Sequence, residues 1–349
     1  MKKPLKSKPI GKNNPSIEDV AKIAGVSTAT VSRVINNFGS VKESNRIKVL
    51  ETVNKLKYRP NISASRLASS SSVNSIGLVM PLYDDMFGSN FFIELMKGIR
   101  SVLLKKRRDL ILLYDNLYEN SDNFFTRVLN KTYIGGLIMQ LGEIKINPTL
   151  KKSEVPYVVM DSYFADPRVN CIYVKNKEGA YGAVGHLIEL GHRRIATIHG
   201  PTYLQSGIDR LQGYRQALRD NGLAMDEALI LNGTFNKNVA YEKMKELLNL
   251  KNPPTAVFTA SDEMALGAIK AIKEKGLGIP KDISIIGFDD NPLCVEISPQ
   301  LTTVRQPISE MGRLCAETII SLVDGHEKSC AKNILETKLI IRDSCRKLK

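Results

Sequence analysis

From Val26 to Asn36 the chain runs VSTATVSRVIN, and Ala29, Ser32, Arg33 and Asn36 recur at i, i+3, i+4 and i+7, with Thr28 beside them. That spacing puts them on one face of a helix. The face is thin and polar, with a single long cation. An arginine there can donate two parallel hydrogen bonds to guanine O6 and N7, and an alanine or a threonine methyl can touch a thymine methyl. Hydroxyls and backbone N–H groups at the helix start can hold phosphate. Bulky residues at these positions would keep the backbone out of a DNA major groove. Spacing alone also fits a structural corner of two helices joined by a glycine turn.

A second set of reactive residues ends apolar runs. Asp161 closes PYVVMD, Asp262 follows TAVFTAS and Asp289 closes SIIGFDD. In open α/β sheets the carboxyl ends of strands face the ligand crevice. Carboxylates placed there can accept paired hydrogen bonds from adjacent sugar hydroxyls. Asp262 and Asp289 suit a turn or helix cap equally well. No nucleophile elbow, Walker loop, zinc signature or dinucleotide fingerprint accompanies them, so the chain is expected not to be an enzyme. Its four histidines and five cysteines (Cys171, Cys294, Cys315, Cys330 and Cys345) are widely spaced, without a CxxC pair. Reduced thiols and no metal are expected.

The elements that must position these residues fall into two patterns. IEDVAKIA places Ile17, Val20, Ala21 and Ala24 on one face, Gly25 permits a left-handed turn, and Val31, Val34 and Ile35 form the apolar side of the next helix. SNRIKVLETVNKLKY then puts Ile47, Leu50, Val53 and Leu56 at helical spacing, and Pro60 ends it. Three short helices are predicted, with small Ala21 letting the first two cross closely. From Ser75 the runs SIGLVMP, DLILLYD, IGGLIMQ, PYVVMD, RIATIHG, TAVFTA and ISIIGFDD, several of them separated by helical stretches, predict parallel sheets built of βαβ units. More than 260 such residues suggest two α/β lobes. KNILETKLIIRDS is expected to be an edge strand.

Charge is uneven. Residues 1–72 hold 14 of the 50 Lys and Arg but only 4 of the 36 Asp and Glu, so most of the +14 net charge sits in a fifth of the chain. A basic block of this kind is either a solvated tail or a footprint for an anionic partner such as nucleic acid. No apolar run is long enough to span a membrane, and no apolar stretch follows the N-terminal lysines, so a cytoplasmic location is expected, nucleoid-associated when on DNA.

SIEDVAKIAGVSTATVSRVIN followed by YRPNISASRLA resembles the DNA-binding head and hinge of the LacI/GalR family of bacterial transcription regulators. NKEGAYGAVGHLIELGHRRIATIHGP, RLQGYRQAL, PTAVFTASDEMALGAIKAIKEKGLGIPKDISIIGFDD and SPQLTTVRQP resemble further blocks of that family, in order, from about Ser16 to about Asp343. The resemblance implies an all-α helix-turn-helix head plus an α/β two-lobed core like periplasmic binding proteins, with parallel sheets and crossover strands. It divides the chain into a basic disordered tail (1–15), the helix-turn-helix domain (16–59), a hinge helix and linker (60–72) and an effector-binding and dimerisation domain (73–349). Within the last, one lobe takes about 73–174 and 304–330, the other about 175–303 and 331–349.

By the same resemblance Thr28, Ala29 and Arg33 read base edges, while Ser16, Ser27, Thr30, Ser32 and Asn36 contact the DNA backbone; Thr30 could instead bond within its helix. Asn61, Ala64 and Leu67 enter the minor groove, Leu67 as an apolar wedge between base pairs. Read without the family, Leu67 is only an apolar residue in a linker. Asn90, Phe91, Asp161, Arg210, Phe235, Asp262 and Asp289 are the implied effector site. Arg210 could equally hold its helix by a salt bridge, and Phe235 could be core. The implied function is a regulator, of repressor type, acting as a homodimer on double-stranded operator DNA and controlled by a carbohydrate-like small molecule, without a cofactor. A protein corepressor, an anionic effector or a solute-binding receptor stays open. Lys175 stands where the family usually has an aspartate, which is what keeps an anionic effector in play. The C-terminus leaves no room for the extra heptad helix of the family's tetramers, so a dimer is expected.

Overall fold

The computed structural model describes residues 15–35, 41–56, 58, 74–81, 86–115, 135–139, 155–164, 166, 168–326 and 332–348. The chain forms two compact units, Met1–Val73 and Asn74–Lys349.

The first unit holds α1 (Ile17–Ala24), α2 (Thr28–Ile35) and α3 (Glu43–Leu56). Ser16 caps α1 in a reciprocal capping box with Asp19. Gly25 ends α1 at φ 67°, and its N–H returns to the Ala21 carbonyl. Val20, Ala21, Ala24, Val31, Val34 and Val49 form the core of the unit. The buried stripe of α3 differs from the one expected: Val49 and Thr52 are buried, Val53 and Leu56 are half-buried, and Ile47 and Leu50 are exposed. Thr52 can be buried because its hydroxyl donates to the Lys48 carbonyl at 2.7 Å, which removes the penalty on an unpaired polar group. Ser16→Ala should lower the stability of this unit by about 1 kcal/mol, read by amide hydrogen exchange of α1. Unchanged protection there would mean that the capping box carries none of the helix's stability.

The second unit contains two six-stranded sheets. The first comprises β1 (Ser75–Pro81), β2 (Asp109–Asp115), β3 (Gly135–Met139), β4 (Tyr157–Met160), β5 (Asn170–Val174) and β11 (Lys332–Leu335), in the order β11-β5-β4-β3-β1-β2 and all parallel. The second comprises β6 (Ile195–His199), β7 (Ile230–Asn232), β8 (Ala256–Thr259), β9 (Ser284–Asp289), β10 (Thr302–Arg305) and β12 (Lys338–Ile340), in the order β12-β10-β9-β8-β6-β7; only β12 runs antiparallel. The helices α4 (Asn90–Leu103) and α9 (Ile308–Val323) pack on the first sheet around Leu95, Ile99, Met311 and Ile319. They approach so closely that a Cβ on Gly98 would lie 2.0 Å from the Ser309 carbonyl oxygen. One face of the second sheet is covered by α5 (Asn176–Glu189) and α6 (Gln205–Asp220), the other by α7 (Lys237–Leu248) and α8 (Asp262–Glu274).

The chain passes between the lobes three times: at Lys175, at Gln306–Pro307 and at Glu336–Thr337. The last crossing departs from the expected boundary. β11 pairs with β5, so residues 332–335 belong to the first lobe, and the anticipated single edge strand is two strands, one on the edge of each sheet. Alternation marks an edge strand but does not show which sheet it joins. Among the described residues no helix is long and apolar enough to cross a membrane.

Candidate functional site

Two surfaces carry the candidate residues. On α2, Thr28, Ala29 and Arg33 are exposed, and Arg33 has no hydrogen-bond or ion-pair partner among the described residues. Val31 and Val34 anchor the opposite face. Ser27 accepts the Thr30 N–H at 3.2 Å, and the two hydroxyls lie 2.9 Å apart. Only one proton of that hydroxyl pair is left to donate outwards. Ser16 donates both its N–H and its O–H to the Asp19 carboxylate. It therefore serves here as the cap of α1. The Asp19 carboxyl is held below its ordinary range by those bonds. Ser32 is half-buried. Asn36, Asn61, Ala64 and Leu67 lie outside the described residues.

The second surface lies between the lobes. Arg210, on the first turns of α6, is 3% exposed and fixed from three sides. Its Nε donates to Asn176 Oδ1 at 2.9 Å, its Nη1 donates to the Ala260 carbonyl at 2.6 Å, and Asp289 Oδ1 lies 3.4 Å from Nη1. The guanidinium stacks on Phe288 at 3.9 Å and lies 5.6 Å from the Phe235 ring. Nη2 has no partner among the described residues. Asn176 donates in turn to Asp161 at 3.3 Å, and Gln306 donates to Asp289 at 2.5 Å. A single buried network thus runs from Asp161 at the end of β4, through the first crossover, to Arg210 and Asp289, and on to the second crossover. Asp161 and Asp289 both have positive φ (52° and 121°). For non-glycine residues that backbone costs on the order of 1 kcal/mol or more, and it persists where the surroundings demand it.

Asn90, Glu94, Asp289, Asp290, Arg305 and Gln306 help to line a cavity of about 270 Å³ beside this network. Across it, the Asn90 N–H that opens α4 donates to Glu263 Oε1 at 3.3 Å, a contact between lobes. Burial pushes the Asp289 carboxyl up, against the pull of Arg210 and Gln306. Ser206 Oγ, four residues before Arg210, and Gln306 Oε1 are buried without a hydrogen-bond partner.

Two of the anticipated effector residues are held by contacts within the core. Asp262 accepts from the Thr303 hydroxyl at 2.6 Å and the Asn291 N–H at 2.7 Å, and it is 1% exposed. It ties α8 to the ends of β9 and β10, and burial pushes its carboxyl up to about 7. Phe91 turns into the first lobe's apolar core, because the second position of an amphipathic helix faces the sheet there. Asn176 and Gln306 went unnoticed in the sequence. Their only signal was position, one at each of the first two crossings.

Lys175 does not enter the cavity's lining. Its ammonium pairs with Glu336 Oε1 at 2.5 Å, joining the first crossover to the third, and Glu336 holds its pKa above the ordinary lysine value. Asp209 is the titratable neighbour of Arg210. Burial pushes it up to about 6, Asp161 and Glu178 add like charge, and Gln205 and Arg210 pull the other way. A carboxyl whose folded pKa exceeds its unfolded value of 3.8 contributes stability that is full below 3.8 and lost as pH rises through about 6. Asp209→Asn should therefore flatten part of the fall in melting temperature between pH 4 and pH 7. Identical pH slopes in the two proteins would remove Asp209 from that role.

Comparison with known proteins settles the lineage. Residues 16–61 match the bacterial regulatory proteins of the lacI family, and residues 184–345 match the periplasmic binding protein-like domain. The probable HTH-type transcriptional repressor ExuR of Bacillus subtilis (strain 168) is 34% identical over 95% of this chain and 99% of its own. The chain belongs to the lacI family of bacterial regulatory proteins. Catabolite control protein A of Priestia megaterium is 36% identical over 86% of this LacI-family chain and 90% of its own. Among solved structures, the Lac repressor dimer bound to operator and the anti-inducer ONPF superposes with TM-score 0.81 at 27% identity, covering 96% of this chain and all of that one. A transcriptional regulator CelR–cellobiose complex superposes with TM-score 0.72 at 31% identity, over 95% and 99%. This LacI-family protein is a DNA-binding transcription regulator with a helix-turn-helix head and a two-lobed α/β core.

Proposed function

We propose that the protein is a repressor, not an enzyme, that binds a near-palindromic operator as a homodimer in the cytoplasm and is controlled by a neutral polyhydroxylated molecule held between its lobes. Protein twofold symmetry would match the operator's. Thr28, Ala29 and Arg33 read bases; Ser27, Thr30, Ser32 and Asn36 set the helix on phosphates; Asn61, Ala64 and Leu67 occupy the minor groove. The effector is held by Arg210, Asp289, Asp161, Asn176, Gln306 and Ser206, with Asn90 and Phe235 at its borders. The head comprises 16–59, the hinge 60–72 and the core the remainder.

The observation that carries the effector reading is the buried network of Asp161, Asn176, Arg210, Asp289 and Gln306 beside the interlobe cavity, with Gln306 Oε1, at the cavity's lining, left without a hydrogen-bond partner. Buried polar groups are almost always paired, so an unpaired acceptor beside a polar network at an interlobe cavity suits a ligand that brings hydroxyl groups. The charge favours a neutral ligand. Lys175, which kept an anionic effector open, is spent on Glu336, and Arg210 already faces Asp289. Ligand contacts from both lobes would favour one lobe arrangement, and the operator affinity would follow from that bias.

The test is to select bound fragments from random DNA with the full chain, then screen neutral sugars and sugar acids for a change in binding to the selected fragment. A response to neutral sugars supports the reading. Failure to select any sequence overturns the regulator role, and a response confined to sugar acids overturns the neutral effector.

A further inference from the structure

Lys105, Lys106, Arg107 and Arg108 form an unbroken run of four cations in the turn between α4 and β2. The first three are exposed, and none of their side chains has a hydrogen-bond or ion-pair partner among the described residues. The turn is rigid. Lys106 N–H returns to Val102, Arg107 N–H to Leu104 and Arg108 N–H to Leu103. Arg107 adopts φ 52°, a left-handed conformation in which glycine is the least strained choice. An arginine stands where the backbone favours a residue with no side chain.

The turn is also tied to the residue at which the chain enters the core. Asn74 donates to the Arg107 carbonyl and accepts from Arg108, and its own carbonyl accepts the Asp109 N–H at 3.1 Å. Arg108 is further held by Asp324 at 3.0 Å. β1 and β2 are parallel and in register from Ser75 and Asp109, so both begin at this same end of the sheet. Among the described residues Asp324 is the acidic side chain bonded to this corner, and even with Asp109 counted the four cations leave it net positive.

We propose that Lys105, Lys106 and Arg107 form a second DNA contact, made by the core itself on operator phosphates. The proposal rests on the reading above that residues 60–68 lie in the minor groove. Only five residues, 69–73, lie between Ala68 and Asn74 in the sequence, so a short stretch of chain tethers this corner to the segment proposed to hold DNA. Contacts of this kind add affinity and salt dependence without reading sequence.

The test compares the full-length wild type with Lys105→Gln/Lys106→Gln on the selected DNA fragment across a salt series. Each phosphate contact contributes about 0.9 to the slope of log affinity against log salt. The double variant, with four charges removed per dimer, should lower the slope by about 2 to 4. It should also bind at least tenfold more weakly at physiological salt, while keeping the wild-type preference among single-base variants of the site. Arg107→Gly gives an opposed pair of readouts: weaker DNA binding with a melting temperature no lower than wild type. A slope within 0.5 of wild type in both variants overturns the proposal while leaving the regulator reading intact, and so does a loss confined to binding of a protein partner. If the wild type selects no sequence, the regulator reading fails first.

Discussion

Arg33→Ala is expected to weaken binding to the selected operator by about 1–3 kcal/mol, roughly five- to 150-fold, and to relax discrimination at one base pair of each half-site. The expectation follows from the composition of the exposed face of α2. Thr28 and Ala29 are exposed but short, and Ser27 and Thr30 bond to each other. Arg33 alone among the described residues of that helix combines length, charge and freedom from any internal partner. Because Val31 and Val34 carry the packing, the substitution should leave the head folded, and its thermal melt should match the wild type. Binding measured against each single-base variant checks the assignment. A variant that binds more weakly yet keeps the full wild-type base preference would make Arg33 a phosphate contact.

The second large effect is expected from Arg210→Met. Removing one partner of a buried pair costs about 3–5 kcal/mol, because the other is left without compensation. Here the cost should fall at the lower end. Burial already favours the neutral form of Asp289, so that carboxyl can take up a proton once the guanidinium is gone. The variant should accordingly lose stability more steeply than wild type as pH rises. Arg210→Lys restores the charge but not the fork that reaches Asn176 and Ala260 together, so it should recover part of the stability and none of the effector response. Denaturant melts at two pH values give the first result and sugar-dependent DNA release the second. Full stability in Arg210→Met would show that the network does not support the core.

Much of this was legible from residue order. Gly25 between two amphipathic stretches marked the turn, and the observed left-handed backbone with a bond back to Ala21 is what that spacing requires. The apolar runs named as strands are strands, because continuous β-branched and aliphatic stretches of that length are at home only in a sheet covered on both faces. Asp161, Arg210 and Asp289 do meet in one network. The points that residue order left undecided share a cause. Ile47 and Leu50 satisfy helical spacing as well as Val49 and Thr52 do, and only the angle at which α3 crosses its neighbours chooses between the stripes. Asp262 and Asp289 both follow an apolar strand run, yet Thr303 and Asn291 claim both oxygens of one while the other faces Arg210.

The order of residues by itself determined the class of each unit, the polarity of the exposed face of α2 and the concentration of positive charge at the head, because periodicity, glycine placement and charge are local properties of the chain. The tertiary structure alone decided which polar groups are spent and which remain. Lys175 was an unexplained cation until the first and third crossovers brought Glu336 to it. Asn176 and Gln306 had no distinguishing neighbours until the lobes closed around Arg210 and Asp289. The cationic turn at residues 105–108 gained its meaning only from Asn74, more than thirty positions earlier, where the parallel register of β1 and β2 sets the two side by side. Hydrogen-bond partnership between distant residues depends on where the backbone carries them, and spacing along the chain holds no record of it.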